Sequence, residues 1–171
     1  VLTTVGCGLG GEPARFEVVA VDVAPRGSGL DVRVDQQLEL SRPARRAIRN
    51  GVTLVLDLSL EIRDGSNLTL VATETRGFEI RYLPLSQRYE LREVGGGDPR
   101  TYPRLRHVLR ALGNLRLDLD SAPLAPGAYE CRARLRLDRA SLPGPMQLPA
   151  LLSRAWRHDS EWTQWPFRIS A

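Results

Sequence analysis

Lysine is missing from this sequence: all 24 basic side chains are arginine. The plain cause is a GC-rich genome that favours arginine codons. The consequence is still chemical. Schiff-base catalysis, attachment of pyridoxal phosphate and a P-loop lysine are excluded. Arginine stays protonated and is a poor general base. Cysteine occurs twice, at Cys7 and Cys131, too few for a disulfide scaffold and in no metal-ligand pattern. The two histidines, His107 and His158, are widely separated, so a structural zinc site has no ligand set. Aromatic residues make up 6% of the chain and form no basic-aromatic motif of the single-strand-binding kind. No apolar run approaches the roughly 20 residues of a membrane span.

What is present fits a globular chain. There are 171 residues, 42% hydrophobic and 26% charged, enough for one domain with a real core. The net charge is +4, with 20 acidic residues interleaved among the arginines. That interleaving leaves no basic tail for nucleic acid, which is not expected as a partner. A mildly basic face toward anionic lipid or an acidic partner fits as well. No cofactor is expected.

The opening stretch, VLTTVGCGLGG, invites two readings. Gly6, Gly8 and Gly11 fit the G-x-G-x-x-G pattern of a dinucleotide site, with Asp31 downstream. Such a site needs a helix starting at the glycines, to hold the pyrophosphate on free backbone N–H groups. Here the Val-rich run Phe16–Val23 follows and reads as a strand, so the nucleotide reading is set aside. The other reading is export. An apolar run ending in small residues before Cys7 matches the end of a signal peptide and resembles the bacterial lipoprotein cleavage box, with Thr4 where that box prefers Leu. Cys7 is then a candidate for lipid attachment. The alternatives are a free Cys7 in a flexible tail and a disulfide to Cys131. On this reading residues 1–14 are the end of an export signal or a flexible lipoprotein tether. Residues 15–171 form a single β-rich domain in the periplasm or cell envelope, with membrane association through Cys7 as one outcome.

Period-two alternation dominates the rest. Leu30, Val32, Val34, Gln36, Leu38 and Leu40 share one face of a run, against Asp31, Arg33, Asp35, Gln37 and Glu39. Leu54 to Ile62 alternate with Val55 to Arg63, and Cys131 to Leu137 with Arg132 to Asp138. One wet and one buried face marks antiparallel sheets. Weaker strands fall near 68–73, 76–83, 87–93, 115–119 and 163–169, about nine in all. Asp64-Gly65-Ser66-Asn67 reads as a hairpin turn, and Leu83–Ser86 closes a second, pairing Phe78, Ile80 and Tyr82 with Tyr89 and Leu91. Ser41 can cap a helix that has Pro43 in its first turn and stops at Gly51, with Ala44, Ala47 and Ile48 facing inward. A second helix spans about Tyr102–Leu112, with Thr101 as cap and Gly113 as stop. The fold class is mainly β: an antiparallel two-sheet sandwich, immunoglobulin-like or an open barrel, with two or three short helices in its connections.

The candidate sites are few. Leu142-Pro143-Gly144-Pro145-Met146 is apolar and broken by prolines, and reads as an irregular segment lying on the domain. Trp156, Trp162 and Trp165 follow closely; with Met146 they either anchor a partner or plug one end of the sandwich. Arg132, Arg134 and Arg136 project from one strand face at about 6.6 Å intervals. They either pair across strands with Asp31, Asp35, Glu61 or Glu79, or form a docking stripe for acidic or phosphate groups. Arg157-His158-Asp159-Ser160 superficially offers a base, an orienter and a nucleophile, but triad members converge from separate elements. No catalytic or metal-binding residue is assigned.

The segment Leu135-Arg-Leu-Asp, then Ser141-x-LP-x-P-x-Gln147, Ala150-Leu-x-Ser153-x-x-Trp156 and a final Trp resembles a family of bacterial envelope proteins known as domain of unknown function 4390. Leu40-Ser41-x-x-x-Arg45-x-Ala47 with Gly51-Val-x-Leu54, and the Phe78–Leu91 hairpin, extend the resemblance to about residues 16 to 167. Pro149 departs from it, since members usually continue a helix there. The resemblance implies an exported or membrane-tethered, mostly β protein whose genes lie beside a membrane sensor kinase, with no established activity. Three functions are then in view: a non-enzymatic binding module, an extracytoplasmic partner of a membrane signalling protein; a carrier or sensor of a small apolar or lipid ligand in an inter-sheet cavity; and a hydrolase with dispersed catalytic residues. Exposed aromatics on a closed core favour the first, an apolar cavity the second, a convergent polar cleft the third.

Overall fold

The computed structural model describes residues 14–170. Cys7 and the opening glycines lie outside the described residues. The first described element is a strand, β1 (Arg15–Arg26), where a dinucleotide site would need a helix. It is followed by β2 (Gly29–Glu39), α1 (Arg42–Arg49), β3 (Leu54–Asp64), β4 (Leu70–Leu83), β5 (Arg88–Glu93), β6 (Arg100–Tyr102), α2 (Leu105–Leu112), β7 (Asn114–Leu119), β8 (Gly127–Leu137), α3 (Gly144–Leu152) and β9 (Thr163–Ile169). A single 3-10 turn, Arg154–Trp156, separates α3 from β9.

The strands form two antiparallel sheets, one in the order β1-β2-β7 and one in the order β6-β5-β4-β3-β8-β9. Both are open, so the architecture is a two-sheet sandwich and not a barrel. The alternation read from the sequence is the pattern of burial. Leu54, Leu56, Leu58, Leu60 and Ile62 on β3 are fully buried, as are Cys131, Ala133 and Leu135 beside them on β8 and Val32 and Val34 on β2. These residues belong to one apolar cluster between the sheets. Pro166, which cannot donate to a ladder, lies on the edge strand β9, opposite Glu130.

Two of the helices sit where the chain changes sheet. α1 carries it from β2 to β3, and α2 carries it back from β6 to β7. Ser41 caps α1 by accepting the Ala44 N–H at 3.3 Å, and Gly51 takes a φ of 90° just past its end, a conformation that favours glycine. Ala44, Ala47 and Ile48 face inward, as their spacing requires.

Three local readings of the sequence are corrected. The two strands near 68–73 and 76–83 are one 14-residue strand, β4, because Thr73 to Arg76 keep pairing with β3. Thr101 does not cap α2. It is held in β6 opposite Glu90, its hydroxyl taken by the Arg88 Nε, and the helix starts at Leu105 with no side-chain cap. Of the segment 142–146, read as irregular, Gly144, Pro145 and Met146 are helical and open α3, which runs on through Pro149. Gln147 steadies that helix by donating to the carbonyls of Ala140 and Leu142, both at 2.9 Å. The missing Pro149 N–H thus costs one ladder bond in a segment held by tertiary contacts.

Because Leu58 sits at the centre of β3 with no exposed area, truncating it leaves a cavity that the flanking strands cannot close. Leu58→Ala is expected to lower unfolding stability by about 2–5 kcal/mol, read as a drop in urea midpoint at unchanged slope.

Candidate functional site

The arginine row of β8 is where its sequence placed it, on the outer face, and each member meets a carboxylate. Arg132 lies 3.5 Å from Glu61, as one of the expected pairings had it. Arg136 lies 3.6 Å from Asp57, and Arg134 grips Asp159 with two parallel hydrogen bonds, Nε to Oδ1 at 2.8 Å and a second to Oδ2. Asp31, Asp35 and Glu79 are not partners of this row; they are engaged by Arg116, Asn114 and Arg92. The Arg134 guanidinium holds the Asp159 carboxyl below the usual range. Burial and the neighbouring Asp138 push Asp57 up, against the pull of Arg136. The Arg132 guanidinium also lies 5.3 Å over the Trp162 ring. These arginines are therefore engaged in cross-strand contacts, not presented as a free stripe.

Trp156 is buried at 8% exposure, and Trp165 is half-buried against the core from β9. Met146 is half-buried in the same way at the start of α3. Of the aromatic and sulfur candidates, none stands out into solvent. Cys131 is a free thiol inside the core, pushed up to about 12 by burial. It shows no reactive character.

Among the described residues, His158 and Glu90 are polar groups whose burial the sequence did not reveal; Glu90 is held by Arg81, and His158 is the more deeply buried. Residues 158–160 run alongside the end of β8: the His158 carbonyl accepts the Leu137 N–H at 2.8 Å and the Ser160 N–H donates to the Leu135 carbonyl at 2.9 Å. The alternation this imposes turns His158 inward, with 2% exposure, and Asp159 outward to Arg134. His158 Nε2 accepts the Ser41 N–H at 3.1 Å and its ring meets Phe16 edge-on at 5.2 Å. The imidazole thus ties the cap of α1, strand β1 and the return toward β9 together. Nε2 is an acceptor, so the ring is neutral; burial pushes its pKa down to about 4, partly offset by the Trp156 backbone. No carboxylate or hydroxyl is hydrogen-bonded to it, and Ser160 Oγ accepts the Leu135 N–H. The neighbouring residues that suggested a triad do not converge.

Leu68, Leu70 and Val71 near the start of β4 are partly exposed, at 56%, 46% and 40%, and α3 carries a more exposed apolar group. Leu148, Leu151 and Leu152 are 71%, 54% and 88% exposed, while Ala150 faces the core. The i, i+3, i+4 spacing of these leucines was the sequence signal for a helix with one apolar face outward; the surrounding prolines masked it. From Arg139 to His158 the chain has no acidic residue and three arginines, Arg139, Arg154 and Arg157. Among the described residues, none of these three side chains has an ion pair or hydrogen bond. Beside Leu151 lies a hollow of about 510 Å³, lined by Arg134, Arg136, Arg139 and Arg157 together with Asp138 and Asp159. Asp159 is held by Arg134, and Asp138 accepts the Ala140 N–H.

Two further depressions open on the surface. The larger, about 660 Å³, runs between α1, the end of β2 and α2 and is lined by Arg15, Arg45, Arg106 and Arg110 with Asp35 and Glu39. His107 lies on α2, its pKa lowered by desolvation and by Arg106, Arg110 and Arg104. Among the described residues there is no cluster of side chains that could hold a metal ion, and no helix is long and apolar enough to cross a membrane.

His158 makes the fold acid-sensitive. Its folded pKa lies below the unfolded value of about 6.5, so below that pH the unfolded chain takes up a proton that the folded chain resists. Stability is expected to fall as pH drops from about 6.5 toward about 4, by up to about 3 kcal/mol. His158→Gln, which keeps an acceptor but does not titrate, is expected to flatten that part of the profile of unfolding midpoint against pH. An unchanged slope would refute the assignment.

No curated protein and no solved structure matches the chain. Residues 14–166 match a family described as "Domain of unknown function (DUF4390)". That match covers the smaller sheet, the larger sheet up to the middle of β9, all three helices and the segment that carries the exposed leucines, so the chain belongs to the DUF4390 family.

Proposed function

We propose that this protein is a non-enzymatic binding module that works outside the cytoplasm, in the periplasm or cell envelope, as the extracytoplasmic partner of a membrane signalling protein. The surface that docks it at the envelope membrane is the α3 face. The observation that carries this reading is the exposure of Leu148, Leu151 and Leu152 on a helix without a charged residue, standing on an otherwise closed core. A patch of large apolar side chains that the fold itself leaves uncovered marks a place where something else binds. The apolar, small-residue stretch before Cys7 supports export, and lipid attachment at Cys7 would hold the module at the membrane.

The other two readings have less to rest on. A carrier of an apolar ligand needs an enclosed apolar cavity, whereas the depressions found are open and lined by arginines. A hydrolase needs a base beside an acid and a hydroxyl, and His158 has neither within hydrogen-bonding reach.

The test is sedimentation of the purified domain with isolated envelope membranes. Retention is expected for the native chain and is lost in Leu148→Glu/Leu152→Glu, with each leucine that becomes buried worth about tenfold or more in affinity. Leu85→Glu changes an equally exposed leucine at the tip of the β4–β5 hairpin and is expected to bind as the native chain does. Equal retention of all three proteins would overturn the reading.

A further inference from the structure

We infer that the α3 face docks on the surface of an anionic lipid bilayer, its leucines entering the acyl region and its flanking arginines meeting lipid phosphates. This rests on the binding-module reading and names what the surface binds. It does not depend on an anchor at Cys7.

Three observations on the page point to lipid. The first is the pairing of apolar and basic character. Leu148, Leu151 and Leu152 protrude from one side of α3, and the segment from Arg139 to His158 that contains them holds arginines but no acid. An apolar face beside basic side chains is the pattern of an interfacial helix, in which carbon enters the acyl boundary and charge stays among the headgroups. The second is that the charge is available. Arg132, Arg134 and Arg136 are neutralised by Glu61, Asp159 and Asp57. Arg139, Arg154 and Arg157 have no such partner among the described residues. Two of them, Arg139 and Arg157, line the hollow that also includes Leu151, which places two unpaired guanidinium groups beside the apolar face, next to Asp138 and Asp159, which are already engaged. The third is what the surface lacks. Protein hot spots are built on Trp, Tyr and Arg seated in pockets, and leucine is under-represented there. Here Trp156 is withdrawn into the core, so the protruding groups are leucines on a convex helix. A fluid acyl layer accepts such a shape without a matching groove.

The test is cosedimentation with vesicles of phosphatidylcholine alone and with phosphatidylglycerol added, across a salt series. The native chain is expected to bind the phosphatidylglycerol vesicles and not the neutral ones, with affinity falling as salt rises. Leu148→Glu/Leu152→Glu abolishes binding. Arg139→Gln/Arg157→Gln weakens it about fivefold per arginine and flattens the salt dependence. Leu85→Glu leaves it unchanged. Arg139 is half-buried and the other positions are exposed, and an unaltered thermal unfolding profile confirms that each variant is folded. Equal binding to neutral vesicles, or no binding to any, overturns the inference. If the leucine pair is required on envelope membranes while no pure lipid vesicle binds, the surface docks on an envelope protein, and the binding-module reading stands without this inference. If the pair is required for neither, both fall.

Discussion

The register of β3 constrains everything else in this fold. Its five inward residues, Leu54 through Ile62, are sealed between β4 and β8 on either side and the smaller sheet above. A slip of one residue would turn Asp57, Glu61 and Arg63 into that core and five aliphatic side chains out to water. The cost of burying unpaired charge forbids it. Once β3 is fixed, its neighbours are fixed through it. β8 must bring Cys131, Ala133, Leu135 and Leu137 inward, which forces Arg132, Arg134 and Arg136 onto the outer face opposite Glu61, Ser59 and Asp57. The charge ladder outside is a consequence of the apolar register inside. Its half-exposed ion pairs contribute little stability of their own.

The same logic explains why the stretch between β8 and β9 is the distinctive part of the molecule. β8 ends at Leu137, and the chain returns to it at 158–160, where two backbone hydrogen bonds and the Arg134–Asp159 pair fasten it again. His158 locks that return from beneath through Ser41 and Phe16. Between these two fixed points the excursion is held by Leu142, Ala150, Trp156 and the Gln147 side chain. That is enough to hold a helix with one side against the core and too little to cover its other side. The exposed leucines are thus not a flaw of packing but the outer face of an element whose anchors all lie on the other side.

The long alternating segments were legible in the sequence because burial of one sheet face is a local, period-two rule. β2, β3, β8 and the Phe78–Leu91 hairpin appear where that rule places them, and Ser41, Pro43 and Gly51 bound α1 through backbone chemistry local to each position. Legibility failed where distant pairing outweighed local preference. Thr101 is a good cap in isolation, but β5 recruits it as a strand. Thr73 to Arg76 are polar, but β3 carries them through as one continuous strand. The tryptophans, large and clustered, left anchor and plug both open in the sequence; Trp156 and Trp165 pack inward, and Trp162 covers an arginine.

The order of residues by itself determined that the chain forms antiparallel sheets with one oily face each, because alternation at a period of two leaves no other low-energy way to separate its leucines from its charges. It also determined that lysine chemistry is absent. Which carboxylate neutralises which arginine, that His158 is buried and neutral, and that α3 turns three leucines to solvent were decided only by the tertiary structure. Those outcomes depend on which strands and returns lie side by side, and contacts between residues far apart in the chain have no local signature.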